Sequence, residues 1–137
     1  MRGITTIGED QKNRFIQELA KYEFGGWAAT HGFNQGFKCI YCDRDFLASY
    51  DAFHSFELDH IVPQSRGGEN TEENTAACCR TCNSLKSSYL PTGNSRVERI
   101  ANARNHVNER RLQREADVSK IRFFVLNNSP ITHDHNA

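Results

Sequence analysis

Four cysteines stand in two matched pairs, Cys39-Ile40-Tyr41-Cys42 and Cys79-Arg80-Thr81-Cys82, with an acidic-histidine turn between them, Leu58-Asp59-His60-Ile61-Val62-Pro63. A Cys-x-x-Cys loop can bring two thiolates onto one tetrahedral metal, each sulfur about 2.3 Å from it. Two such loops close a site completely, so this metal is structural, and zinc is the expected ion. The 36 residues separating the pairs exceed the roughly 15–20 of a simple zinc ribbon, so a folded segment must fill the interval. The cysteines could instead form a redox dithiol or lie buried as free thiols, but no thioredoxin-like βαβ pattern surrounds them. Asp59, His60, Asn74 and Asn83 add a carboxylate, an imidazole and two carboxamides. Oxygen donors beside a base that titrates near neutrality suit a second, harder metal, and point to phosphodiester hydrolysis.

The elements that must position these groups can be read from periodicity. Residues 55–62 alternate like a strand, Phe56, Leu58 and His60 against Glu57 and Asp59. Pro63 ends it, and Arg66-Gly67-Gly68-Glu69-Asn70 is turn-rich. Residues 75–79 suit a second strand, and 82–88 a helix ended near Pro91 and Gly93. Strand, loop, strand and helix make a ββα unit. Upstream, Phe15, Leu19 and Tyr22 recur at helical spacing with Ile16 and Ala20, predicting a helix over residues 9–24 that Gly25-Gly26 ends. Residues 27–36 read as an irregular connection, and 43–53 as a short helix or a loop. A long helix with a ragged apolar stripe (Val97, Ile100, Val107, Leu112) is expected from Ser95 onward. Residues 121–126 are an apolar patch of open state. The fold class is therefore α+β. Its expected organisation is an N-terminal helical segment (1–36), the zinc-stapled core (37–93), a basic helical segment (94–126) and a flexible tail (127–137).

At 137 residues the chain fits one domain. With 37% apolar and 25% charged residues, it is polar for a globular protein, and a metal staple would help a small core. Net charge is zero but unevenly spread: residues 38–93 hold five Lys/Arg against eight Asp/Glu, and 94–122 hold eight against four. The basic run Arg96, Arg99, Arg104, Arg110, Arg111 and Arg114 could lie along a nucleic acid, join two copies of the chain, or dock a partner protein; from charge alone a solvated helix face is an equal reading. No apolar run is long enough to span a membrane and no export signal opens the chain, so the expectation is a cytoplasmic location with reduced thiols and no membrane partner. Cys78, the fifth cysteine, is expected to be a small buried hydrophobe.

The run Leu58-Asp59-His60-Ile61-Val62-Pro63-Gln64-Ser65, then Gly67-Gly68, Asn70, Asn74, Cys79, Cys82-Asn83 and Lys86, resembles the HNH endonucleases of the ββα-metal superfamily over about residues 37–90. The acidic-His-Ile-Val-Pro turn is similar to that of CRISPR-effector HNH domains. The flanking cysteine pairs are similar to those of McrA-like stand-alone bacterial and phage nucleases. This resemblance implies a ββα-metal core stapled by a four-cysteine zinc site (Cys39, Cys42, Cys79, Cys82), flanked by helices. It implies His60 as general base, Asn74 fixing the histidine loop, Asp59 and Asn83 as ligands of a catalytic ion, and Lys86 near phosphate. Asn83 stands where the last motif position is often histidine, so the pattern is His-Asn-Asn.

Hydrolysis of DNA, in duplex form, is the implied reaction, with one structural Zn²⁺ and a catalytic Mg²⁺ or Mn²⁺. All-oxygen ligation favours those hard ions. Arg66 and Arg80 are candidate phosphate contacts. Glu57, on the Asp59 face under strict alternation, is a weaker candidate ligand than a solvated strand position. His31 and His54 lack partners at a telling spacing, and His133 with His135 sits in the expected tail. The alternative function is a zinc-stabilised nucleic-acid-binding or adaptor module without catalysis.

Overall fold

The computed structural model describes residues 2–128, with side chains described from residue 8. Three helices, α1 (Arg2–Ala20), α2 (Gly26–Asn34) and α3 (Tyr50–His54), precede strand β1 (Phe56–His60). A single 3₁₀ turn (Gln64–Arg66) follows, then β2 (Thr75–Cys79), α4 (Arg80–Lys86) and α5 (Arg96–Asn128). The strands pair antiparallel, Phe56 opposite Cys79 and His60 opposite Thr75. With α4 they form the expected ββα unit.

Alternation decides what each strand face meets. Phe56 enters a chain of ring contacts with Phe24, Phe37 and Phe46, at centroid distances of 5.2, 6.3 and 4.7 Å. Phe15, Phe33 and Phe53 extend the cluster. Aromatic rings thus supply much of the apolar area that aliphatics do not. Glu57 and Asp59 turn instead toward α4, where Asn83 and Lys86 meet them. β2 is buried at every position, and small Ala76 and Ala77 let neighbouring elements approach its backbone.

Three helical expectations shift. α1 ends at Ala20, earlier than residue 24, and Tyr22 is exposed rather than part of the apolar stripe. Glu23 takes a left-handed φ of 59°; its N–H reaches the Ala20 carbonyl, and the Phe24 N–H reaches that of Leu19. This Schellman closure tucks Phe24 against the core before the glycines are reached. Residues 27–36 are not irregular but mostly α2. Gly32 reads as punctuation in sequence, yet its role is packing: a Cβ there would lie 2.7 Å from the Phe37 ring. α4 begins two residues before residue 82 because the Cys79 sulfur caps it, accepting the Cys82 N–H. Residues 43–53 resolve into a loop and α3, capped by Ser49.

α5 buries only Ala103 and Val107, and three of the six arginines of its expected basic face are spent on the domain. Arg96 donates to the Glu73 and Thr75 carbonyls, Arg104 to the Ile40 carbonyl and Asp43, and Arg111 to the Cys82 sulfur at 3.0 Å. Ile121, Phe123, Phe124, Val125 and Leu126 are exposed on its last turns. The helix runs to Asn128, so residues 127 and 128 are helical rather than tail. The rest of that segment, with His133 and His135, lies outside the described residues. No described helix is long and apolar enough to cross a membrane.

Candidate active site and metal centre

The two cysteine loops meet at the end of the hairpin. The Sγ atoms of Cys39, Cys42, Cys79 and Cys82 all lie within 4.8 Å of one another, and those of Cys42 and Cys79 are 3.8 Å apart. A tetrahedron of zinc–sulfur bonds of about 2.3 Å has sulfur–sulfur edges of about 3.8 Å, so the donor set fits zinc. Backbone N–H groups face the sulfurs: Tyr41 and Cys79 donate to Cys39, and Cys82 donates to Cys79. Hydrogen bonds within the sulfur cluster lower the Cys79 thiol and raise those of Cys39 and Cys82, so the cluster shares its protons when no metal is bound. Cys78 faces away, fully buried, and burial pushes its thiol up, keeping it neutral.

Asp59 is 5% exposed. Tyr41, from inside the first cysteine loop, donates its hydroxyl to Oδ2 at 2.6 Å. Lys86 Nζ lies 3.2 Å from Oδ2 and 3.0 Å from the His60 carbonyl. Burial raises the Asp59 carboxyl, opposed first by the Lys86 charge and then by the Tyr41 hydrogen bond. Lys86, expected near phosphate, is thus a fully buried counter-ion and offers nothing to a ligand in solvent.

Asn83 Nδ2 donates to Glu57 Oε1 at 2.7 Å, while Arg80 Nε holds Glu57 Oε2 at 3.0 Å. The Asn83 hydrogen bond, more than the Arg80 charge, holds the Glu57 carboxyl below its usual range. With its nitrogen committed to Glu57, the Asn83 amide keeps the lone pairs of Oδ1, which accepts no side-chain hydrogen bond among the described residues. Glu57 therefore orients the amide, and Arg80 is tied to that carboxylate. Arg66 remains exposed on the turn after Pro63.

The loop between the strands is closed by Asn74. Its Oδ1 accepts the Val62 N–H at 3.0 Å, and its Nδ2 donates to the Val62 and Glu69 carbonyls at 3.0 and 2.8 Å. Gly68 is obligatory in this closure, since a Cβ there would collide with the Val62 carbonyl. Asn74 does not touch His60. Asn70 does, its Oδ1 lying 2.9 Å from His60 Nε2.

Leu58, Asp59, His60, Pro63, Gln64, Asn83 and Ser87 line one open cleft of about 200 Å³. Asp59, His60 and Asn83 thus line one cavity, and a carboxylate with a carboxamide oxygen is a donor pair of the kind a hard divalent cation takes. A larger cleft of about 390 Å³ lies elsewhere, among His31, Lys38, Arg96 and Arg104. Asp43, Glu72 and Glu73 also line it; its arginines are bound to carbonyls and to Asp43, and His31 is bonded to Thr75 at 2.9 Å. Sequence reasoning missed Tyr41, Asn70 and the orienting role of Glu57. Only the positions of Tyr41 within a ligand loop and of Asn70 within the spaced motif hinted at them.

Residues 39–88 match the family model described as HNH endonuclease. The chain is 41% identical over 54 residues to a CRISPR-associated endonuclease Cas9 of Actinomyces naeslundii, and 40% identical over 53 residues to that of Corynebacterium diphtheriae. These matches cover 39% and 38% of this chain but only 4% of each relative. No solved structure matches the chain at a significant level.

Proposed function

We propose that this chain, whose residues 39–88 carry an HNH endonuclease domain, is a metal-dependent endonuclease that nicks or cuts DNA by hydrolysing phosphodiester bonds. The observation that carries the reading is the shared cleft: Asp59, His60 and Asn83 line one cavity beside a four-cysteine staple. In this reading His60 takes a proton from the attacking water, the new P–O bond forms, and the P–O3′ bond breaks, with solvent protonating the departing oxygen. Asp59 and Asn83 would hold Mg²⁺ or Mn²⁺. Such an ion, when bound, neutralises charge on the phosphate and on the leaving oxygen. Lys86 and Asn74 keep the backbone from the His60 carbonyl to Val62 in place, and Glu57 keeps the Asn83 oxygen presented. Arg66 is the remaining phosphate contact we assign. The segments 1–36 and 94–126 support the core, and a cytoplasmic setting suits reduced cysteines.

Supercoiled plasmid incubated with Mg²⁺, Mn²⁺, Ca²⁺ or chelator tests the proposal, with nicked and linear products read by gel. Nicking with Mg²⁺ or Mn²⁺ and none with chelator is expected. His60→Ala should abolish cleavage while zinc content, melting and DNA retention persist. Undiminished nicking by that variant would overturn the assignment of the base. DNA retention without cleavage in the wild-type protein would favour the binding-module alternative.

A further inference from the structure

His60 presents a choice that its neighbours must settle. A neutral imidazole carries one proton and one lone pair, and only the nitrogen with the lone pair can act as a base. The Asn74 side chain, the expected organiser of this loop, makes all its hydrogen bonds to backbone and none to the ring. The ring is met by Asn70, whose Oδ1 lies 2.9 Å from Nε2. A carboxamide oxygen can only accept, so Nε2 must carry the proton in this arrangement.

We propose that Asn70 is a positioning residue for the hydrolysis: it locks His60 in the Nε2–H tautomer and leaves Nδ1 as the basic nitrogen. The inference rests on the nuclease reading of the cleft and deepens it. Asn70 is itself exposed, so its placement comes from the loop that carries it. Asn74 Nδ2 holds the Glu69 carbonyl, the peptide oxygen immediately before Asn70, at 2.8 Å. The Gly68 N–H holds the Pro63 carbonyl at 2.9 Å, and the Lys86 ammonium holds the His60 carbonyl at 3.0 Å. Both ends of the His60–Asn70 hydrogen bond are thereby anchored to the same closed loop. The division of labour follows: Asn74 fixes the backbone, and through it Asn70 fixes the ring.

The test uses the zinc-loaded full chain with ¹⁵N-labelled histidine, studied by long-range ¹H–¹⁵N correlation under alkaline conditions where imidazoles are neutral. The six histidines are resolved by comparison with His60→Gln. The wild-type His60 pattern should be that of the Nε2–H form. Asn70→Asp, which keeps an acceptor oxygen, should retain the pattern, whereas Asn70→Ala should give a mixture of tautomers with unchanged melting. In plasmid nicking, Asn70→Ala should lower kcat about 10–100-fold, as loss of a hydrogen bond that orients a metal-ligating histidine does, with KM nearly unchanged and Asn70→Asp restoring most of the rate. An Nδ1–H pattern in the wild-type protein overturns the proposal. So does Asn70→Ala with the wild-type tautomer and rate. Because the tautomer is read without substrate, a protein that shows the expected pattern but never cleaves DNA would sink the nuclease reading and leave the assignment of Asn70 as the ring's orienter standing.

Discussion

Replacing Lys86 with Met separates a buried counter-ion from a surface cation. The Lys86 side chain is fully buried, with Nζ 3.2 Å from Asp59 Oδ2 and 3.0 Å from the His60 carbonyl, and the Asp59 side chain is 6% exposed. Methionine fills a similar volume, so the loss is mainly that of charge. Removing one member of a buried pair leaves the other uncompensated, at a cost of about 3–5 kcal/mol. For a chain of 137 residues each kcal/mol moves Tm by about 3–5 °C, so the variant should melt about 10–20 °C lower. Adding Asp59→Asn removes the orphaned carboxylate, and the double variant should be more stable than Lys86→Met alone. Under the proposed function a divalent cation would draw on the same Asp59 carboxylate as the ammonium does. Mn²⁺ should therefore raise the Tm of Lys86→Met more than that of the wild-type protein. Scanning calorimetry on zinc-loaded protein measures all three. A Lys86→Met protein melting within about 2 °C of wild type, or a double variant less stable than the single, would refute the account.

Other expected outcomes follow from the same geometry. Cys82→Ser removes one of the four metal ligands and the sulfur that Arg111 contacts; bound zinc should fall below one per chain and the cooperative melting transition should be lost, measured by metal analysis and circular dichroism. Glu23→Gly relieves a left-handed φ of 59° and should stabilise the protein by about 1 kcal/mol, seen as a Tm rise by calorimetry; a fall would contradict the cap at the end of α1. Burial, then the Arg96 charge, lowers the His31 pKa. Because the folded value lies below the unfolded one, its contribution is fully present above about pH 6.5 and is lost as pH falls toward the folded value, at up to about 1.4 kcal/mol per pH unit. His31→Gln should lose less stability than wild type between neutral pH and pH 5.5, measured by urea melts at each.

The ββα unit and the cysteine frame were legible because their signals are local. Ligand spacing within each Cys-x-x-Cys loop, alternation from Phe56 to His60, and turn residues after Pro63 each report on a few neighbouring residues. Gly32 misleads because it carries two meanings, helix breaker in sequence and seat for the Phe37 ring in space, and only the second operates. The arginine run of α5 misleads for the opposite reason. Its spacing is helical, but periodicity cannot say whether a guanidinium faces solvent or a carbonyl across the molecule. Arg96, Arg104 and Arg111 face inward. The resemblance set Lys86 near phosphate, but in the structure it is buried against Asp59. What no spacing encodes is its partner 27 residues upstream, Asp59.

These inward contacts explain why so small a core can hold a cleft to fixed dimensions. Tyr41 belongs to the first cysteine loop, yet its hydroxyl ends on Asp59. Burial and the neighbouring carboxylate push that hydroxyl's pKa far up, so it stays a donor. Arg104 pins the same loop through the Ile40 carbonyl, and Cys79 both joins the sulfur cluster and caps the helix bearing Asn83. A metal bound by the four sulfurs would therefore constrain α4, whose Asn83 lines the cleft, and the Tyr41 loop, whose hydroxyl holds Asp59. The charge-assisted hydrogen bond from Tyr41 is worth more in this dry site than at a surface. The two centres are one mechanical unit: loosening the sulfur cluster frees Tyr41 and α4 together, and with them the carboxylate and the amide that share the cleft with His60.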